Sequence, residues 1–178
     1  MISDVLNFWF KEIDVKLWWK KDPNFDELIK KRFGTLHQSA ARCELYHWRT
    51  TPQGSLAEII ILDQFSRNIY RDTPKAFEND SLALTLAQFA IAQGQNTMLP
   101  KNRRSFMYLP YMHSESQAIH TQAVELYKAL GNEDNLSFEL KHKAIIDRFG
   151  RYPHRNAILG RTSTSAELEF LKQPNSGF

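Results

Sequence analysis

The chain has 178 residues and a mass of 20.8 kDa, close to the usual size of one domain. Apolar residues make up 42% and charged residues 24%, which excludes a disordered protein, and the net charge of +3 is only weak evidence for a polyanionic partner. A single cysteine, Cys43, excludes an intrachain disulfide framework and a four-cysteine zinc site.

The N-terminal sequence has neither a basic segment nor a small-residue cleavage site, so it does not predict a secretory signal. The longest near-continuous apolar run elsewhere, Leu56 to Leu62, is far below the ~20 residues that a membrane span needs. We therefore expect a cytoplasmic protein without membrane association, and the lone cysteine fits a reducing compartment.

Apolar residues recur at steps of three and four along nearly the whole chain, which predicts amphipathic helices. The predicted segments, in chain order, are 4–11, 23–43, 55–69, 80–94, 100–110, 114–131, 136–149 and 164–171. N-terminal caps are predicted at Asp80, at Ser114 with Gln117 and at Thr164 with Glu167. Helix ends are predicted at Gly94, Gly131 and Gly150, and Pro100 and Pro110 bracket the helix between them.

Seven or eight helices with short connections, and no strand, predict one all-α domain over residues 1–178. Consecutive hairpins of this kind suggest stacked antiparallel pairs in a right-handed superhelix like that of tetratricopeptide repeats. The 34-residue consensus of those repeats is, however, not visible in the sequence.

The predicted third helix carries polar residues where a core is expected. Its apolar residues surround the helix completely, which is typical of a buried helix. Asp63, Gln64, Arg67 and Asn68 nevertheless lie within it, and Asp63 precedes Arg67 by four residues, the favourable order for an ion pair. These residues are either a buried salt bridge that joins neighbouring helices or the wall of a polar pocket.

A second polar group, His113 and Glu115, follows Pro110 and lies at the predicted start of a helix. Backbone N–H groups and the helix dipole favour anions at such a position. Glu115 can therefore act as a cap that complements the dipole, or both residues can belong to a ligand site.

The third and densest group lies around the end of the helix at 136–149. From Glu139 to Arg161 there are six Lys or Arg residues against two Asp or Glu residues, with two histidines. A helix C-terminus explains Arg148 and Arg151, but it does not explain Arg155 and Asn156. A guanidinium cluster on a loop is suited to bidentate binding of phosphate or carboxylate.

Other reactive side chains have ordinary interpretations. His142 lies on an apolar helix face and is interpreted as a core histidine, whereas His37, His47 and His120 are interpreted as surface or flanking residues. Cys43 lies on an apolar face and is interpreted as a core residue.

No metal or cofactor is predicted, because metal-site, phosphate-loop and dinucleotide motifs are absent. A discontinuous metal site from His113, Glu115, His142 and His154 is only geometrically possible. The tryptophans lie in the first third of the chain, apart from the basic C-terminal group, so nucleic acid is not the expected partner.

Three motifs carry a family resemblance: LDQFSRNIYR (Leu62–Arg71), LPYMHSE (Leu109–Glu115) and RFGRYPHRN (Arg148–Asn156). We call them the first, second and third motifs. Together they resemble the bacterial family known as domain of unknown function 924, and the likeness extends from Val5 to Phe178. The resemblance implies an all-α, tetratricopeptide-like fold and supplies no catalytic residue. Ser66 departs from the proline expected in the family pattern.

We expect the three motifs to converge on one site that binds a small anionic ligand, with turnover possible. The predicted ligand-binding residues are Asp63, Arg67, Asn68, His113, Glu115, Arg148, Arg151, His154, Arg155 and Asn156. If the site is catalytic, His113 or His154 would be the acid or base. Glu115 or Asp63 would then orient it, and Arg151 and Arg155 would clamp the anion. The alternative is a helical scaffold for a protein or peptide partner, in which the motifs are internal struts.

Overall fold

The computed structural model describes residues 1–174, 176 and 177, so Phe178, where the family resemblance ends, lies outside the described residues. The helices are α1 (Ile2–Asn7), α2 (Pro23–Ala41), α3 (Pro52–Ile60), α4 (Ser66–Ile69), α5 (Asp80–Ala92), α6 (Lys101–Met112), α7 (Gln117–Leu130), α8 (Glu133–Phe149) and α9 (Ser165–Leu171). No strand occurs among the described residues. The all-α prediction is confirmed, whereas the superhelical stacking stays a prediction.

Several predicted helix ends are confirmed. Gly131 and Gly150 follow α7 and α8 with positive φ, a conformation that glycine adopts without strain. Thr164 and Glu167 form the predicted capping box at the start of α9. Gly131 and Asn132 alone connect α7 to α8, and the two helices pack against each other as a hairpin.

Two predicted caps are wrong. Asp80 is the first residue of α5 rather than its cap, and both of its carboxylate oxygens accept hydrogen bonds from Arg67. Ser114 and Gln117 form no capping box, because α7 begins at Gln117 after Ser116, which makes no side-chain cap. At Asp80 a tertiary ion pair uses the carboxylate that the local pattern assigned to a cap.

Pro110 does not end its helix as predicted but lies inside α6, two residues before its end. The residues from Phe106 to Met112 are all buried. Burial of these side chains on both sides of the proline offsets the loss of one backbone hydrogen bond. His113 and Glu115 consequently lie in the loop between α6 and α7, not in the first turn of a helix.

The interpretation of Cys43 as a core residue is wrong. Cys43 is exposed and follows the end of α2 with a φ of 59°. The three- and four-residue spacing of apolar residues also places Leu28 on the apolar face with Phe25, but Leu28 is 46% exposed. The apolar face of α2 therefore ends at Ala40.

The chain forms two compact units, one comprising residues 1–71 and 75–110 and the other comprising residues 72–74 and the chain from Tyr111 onwards. In the first unit, α3 continues through a π-helical turn at Ile61–Phe65 into α4, and this turn contains Asp63 and Gln64. Leu56, Ile59, Ile60, Ile61, Leu62 and Phe65 have no exposed surface, so this helix is buried as predicted. The core of the second unit includes Tyr127, Leu130, Ile145, Ile146 and Tyr152.

Candidate functional site

Tyr152 is the centre of a polar and aromatic group of side chains in the second unit. It is 1% exposed and precedes a short 3₁₀ turn at Pro153–Arg155. Its hydroxyl donates a hydrogen bond of 2.5 Å to the carbonyl oxygen of Met112. The group, which we call the Tyr152 cluster, comprises Glu115, His120, Glu139, His142, Tyr152, His154, Arg155 and Arg161.

Three rings and one guanidinium border the Tyr152 ring. The ring centres of His142 and His154 lie 5.8 Å and 5.5 Å from it. The ring centre of His120 lies 6.3 Å away. The guanidinium carbon of Arg155 lies 4.5 Å from the centre of the Tyr152 ring, a cation–π contact.

Glu115 joins the second and third motifs. Its carboxylate accepts two hydrogen bonds from Arg161, at 2.6 Å and 2.9 Å, and one from the backbone N–H of Tyr152 at 2.7 Å. Burial raises the pKa of Glu115, but these hydrogen bonds and the charges of Arg155 and Arg161 lower it below its usual range. Glu115 is therefore an ionised anchor for the loop after α8.

His120 and Glu139 form a buried pair between α7 and α8. His120 Nδ1 lies 2.7 Å from Glu139 Oε1, and His120 Nε2 lies 2.8 Å from the carbonyl oxygen of Ser114. Because a carbonyl oxygen can only accept, we assign the Nε2 proton to His120. Burial raises the pKa of Glu139, although the hydrogen bond to His120 acts in the opposite direction.

His142 is a core histidine, as predicted, and is 6% exposed. Its Nδ1 donates to the carbonyl oxygen of Phe138 at 2.8 Å, a contact that keeps the neutral ring oriented. Burial lowers the pKa of His142 to about 3, and the charges of His113, His120 and Arg155 lower it as well. The guanidinium of Arg155 is thus close enough to His142 to disfavour protonation of its ring.

The remaining residues of the third motif differ in their exposure and their partners. Arg155 and Asn156 are buried, at 6% and 1% exposure, and Asn156 binds Arg161 and Ser163 through its side-chain amide. His154 is half-buried, as is His113 in the loop after α6. Both imidazoles are therefore partly accessible to solvent.

Arg151 and Arg148 have internal contacts of their own. Arg151 binds both carboxylate oxygens of Glu167, at 2.6 Å and 2.8 Å, and the carbonyl oxygen of Thr162 at 2.9 Å. The Arg151 hydrogen bonds are the main reason that the pKa of Glu167 falls to about 2. Arg148 is exposed, and its guanidinium carbon lies 4.7 Å from the centre of the Phe149 ring.

The first motif builds a separate set of ion pairs within the first unit. Asp63 has no exposed surface, and its Oδ1 lies 3.3 Å from Arg67, so the predicted ion pair is present. Arg67 also binds both carboxylate oxygens of Asp80, at 2.9 Å and 3.0 Å. Asn68 donates to Asp26 across 42 residues of sequence.

The structure therefore joins the second and third motifs within one unit, through Glu115 and Tyr152. The first motif lies with Asp26 and Asp80 in the other unit. Convergence of all three motifs on one site stays a prediction.

Two sequence interpretations of histidines are wrong. His120 is fully buried rather than on the surface, and His37 is 2% exposed, with its Nε2 2.7 Å from the hydroxyl oxygen of Ser66. The Ser66 hydroxyl donates to the carbonyl oxygen of Leu62. The serine that stands where the family pattern has proline therefore forms a hydrogen bond within its own helix.

Helical periodicity in the sequence could have identified some of the buried site residues that were not predicted. His120 precedes the buried Ala123, Val124 and Tyr127 by three, four and seven residues, which places it on the core face of α7. Glu139 likewise precedes His142 and Ile146 by three and seven residues. Arg161, in contrast, lies in a loop without periodicity, and only the fold brings it to Glu115.

No group of three or more His, Cys, Asp or Glu side chains within residues 1–174, 176 and 177 is placed to hold a metal ion. No helix in the described part of the chain combines the length and the apolar character that crossing a membrane requires.

Comparison with known proteins gives a family and a structural relative. The family model described as "Bacterial protein of unknown function (DUF924)" matches residues 5–175. A solved structure of a protein of unknown function from Agrobacterium tumefaciens, ATU0120, is 38% identical in sequence, with a TM-score of 0.91 over 96% of each chain. No curated protein matches the chain.

Proposed function

We propose that this chain, which belongs to the bacterial DUF924 family, binds a small anionic ligand such as phosphate or a carboxylate at the Tyr152 cluster. The placement of Arg155 carries the proposal. Its guanidinium lies over the Tyr152 ring, 4.5 Å from the ring centre, in a residue that is 6% exposed. A guanidinium fixed in this way loses little conformational freedom when it binds an anion with its N–H edge.

The electrostatic environment supports the same ligand class. The charge of Arg155 acts against protonation of His142, so a fixed positive group lies close to this buried ring. Low surrounding polarity strengthens the attraction between such groups and an anion. The half-buried His113 and His154 would complete the ligand contacts with N–H groups.

The ligand set that we propose is smaller than the one predicted from sequence. Arg155, His113 and His154 contact the anion, while Glu115, Asn156 and Arg161 hold the loop in position. Arg151 is assigned to the ion pair with Glu167, and Arg148 to the surface. If the ligand is turned over, His113 or His154 is the acid or base, because these imidazoles border the proposed anion.

Thermal unfolding in the presence of phosphate, sulfate and small carboxylates at millimolar concentration tests the proposal. Saturating ligand should raise the Tm of the native chain by at least ~2 °C through mass action. Arg155→Gln should lose this shift. Arg148→Gln is the matched control and should keep it, since it removes an exposed guanidinium from the same motif.

Because Arg155 is buried, His154→Gln provides a second variant that is expected to fold. It should weaken the anion effect while the circular dichroism spectrum stays helical. A native chain whose Tm does not respond to any of these anions contradicts the proposal.

The second candidate is a helical scaffold that binds a protein or peptide partner, with the motifs as internal struts. The bidentate pairs of Arg151 with Glu167 and of Arg161 with Glu115 favour it, because these guanidiniums already hold carboxylates. A scaffold predicts no anion effect and a large loss of stability in Arg155→Gln. Under either candidate we propose a cytoplasmic location, which suits a chain with a single cysteine.

A further inference from the structure

The outer face of α8 carries a shallow, largely apolar groove of about 420 Å³. It is lined by residues of this one helix, which recur at steps of three and four along it: Glu133, Leu136, Ser137, Leu140, Lys141 and Ala144. Leu140 is 48% exposed and the adjacent Phe138 is 51% exposed. A solvated helix face is normally polar, so this face has the composition of a contact surface.

The outer face is distinct from the face that builds the Tyr152 cluster. Glu139, His142 and Ile146 are buried and point toward the core of the second unit. At 100° per residue, Ser137 lies about 160° from Glu139 around the helix, on the opposite side. A partner on the outer face would therefore leave the cluster uncovered.

Charges at the two ends of the groove are arranged symmetrically. Glu133 lies four residues before Ser137, and Lys141 lies four residues after it. Both are exposed, and neither forms an ion pair within the described residues. The Lys141 ammonium instead lies 5.1 Å from the centre of the Phe138 ring, at the margin of the groove.

We propose that a second copy of this chain docks on this face, with the two α8 helices antiparallel and a two-fold axis at Ser137. A two-fold axis places residue i opposite residue j of the second copy and j opposite i. Glu133 of each copy then faces Lys141 of the other. The dimer therefore contains two such ion pairs, one at each end of the groove. Leu136 and Leu140 supply the apolar contacts, and the small Ser137 lets the helices approach closely.

The charge pattern selects a second copy over other occupants. A partner of one sign, such as an acidic or a basic peptide, would match one end of the groove and repel the other. Self-complementary interfaces satisfy both ends with the same surface.

Sedimentation equilibrium of the full chain, from micromolar to submillimolar concentration at low salt, measures the association. The native chain should form a dimer in this range. Glu133→Lys and Lys141→Glu each place like charges opposite one another at both ends, so each should weaken the dimer by about 3- to 30-fold. The double variant Glu133→Lys with Lys141→Glu restores opposite charges and should return within about 2-fold of native affinity.

Leu140→Glu should weaken the dimer at least ~100-fold, because it places a charge in the apolar centre. Leu28→Glu on α2 is the matched control, since Leu28 is 46% exposed and lies outside the groove, and it should leave the dimer unchanged. A native chain that is monomeric throughout the range overturns the proposal. So does a dimer that persists in Leu140→Glu, or a double variant that associates no better than the single ones.

Discussion

His120 and Glu139 share one proton in the interior of the second unit. Nδ1 of the imidazole lies 2.7 Å from Oε1 of the carboxylate, and neither side chain has exposed surface. Since His120 Nε2 donates to the Ser114 carbonyl oxygen, the shared proton resides on Nδ1 or on Glu139. In either state the pair is neutral overall, which is the tolerable arrangement for two ionisable groups in a protein interior.

Replacement of Glu139 by Gln should be far less damaging than replacement by Ala. The Gln amide can donate to His120 Nδ1, so we expect a loss of less than about 1 kcal/mol in the free energy of unfolding. Glu139→Ala leaves the buried imidazole nitrogen without a partner and opens a cavity, which should cost about 3 kcal/mol or more. Urea denaturation at neutral pH measures both. Equal losses in the two variants would show that a hydrogen bond from position 139 to His120 adds nothing to stability.

The buried His142 should make the protein sensitive to acid. Its folded pKa of about 3 lies below the ordinary value of 6.5, so the unfolded chain binds the proton more readily between these values. The stabilisation is present above about pH 6.5 and is lost as the pH falls toward 3. At pH 5 this amounts to about 2 kcal/mol relative to neutral pH.

His142→Gln should flatten the pH dependence of the unfolding free energy between about pH 4 and 6.5. His47→Gln is the control, because His47 is exposed and the variant should retain the native slope. An unchanged slope in His142→Gln would assign the acid sensitivity to other groups.

Glu115 should contribute stability that depends on its charge. Because its folded pKa is lowered, the contribution is present above about pH 4.5 and is lost as the pH falls through the folded value. Glu115→Gln should therefore destabilise the chain by about 2 kcal/mol at neutral pH, and the difference from native should shrink in acid. Glu125→Gln, which breaks an exposed pair with Lys128, should change the free energy of unfolding by less than about 0.5 kcal/mol. A pH-independent effect of Glu115→Gln would contradict the role of its charge.

Asp63→Ala should destabilise the first unit by about 3 kcal/mol. The Asp63 carboxylate is fully buried, and its loss removes one of the carboxylates that compensate Arg67. The bidentate contact with Asp80 keeps that guanidinium partly compensated, so the effect should lie at the lower end of the range for a broken buried pair. Chemical denaturation of Asp63→Ala and Asp80→Ala compares the two carboxylates. A loss below about 1 kcal/mol for Asp63→Ala would place its pair with Arg67 among solvent-exposed ones.

The spacing of apolar residues was sufficient to predict the helices and the burial of residues 55–65, from α3 through the π-helical turn, because the side-chain periodicity of a helix is a local property. The ends at Gly131 and Gly150 and the capping box of Thr164 with Glu167 were predictable for the same reason. The position of Pro110 inside α6 was not predictable in this way. It depends on the burial of the surrounding side chains, which the rule that proline ends a helix does not take into account.

The sequence by itself thus determined the helical class, most helix bounds and the residue types available for a polar site. Only the tertiary structure decided which of these residues meet. Arg67 donates to Asp80 across 13 residues of sequence. Asn68 donates to Asp26 across 42 residues, and Arg161 donates to Glu115 across 46 residues. Any of several carboxylates could neutralise a given guanidinium, and the charge pattern does not distinguish among them. The choice follows from the packing of apolar helix faces, which brings particular pairs to hydrogen-bond distance.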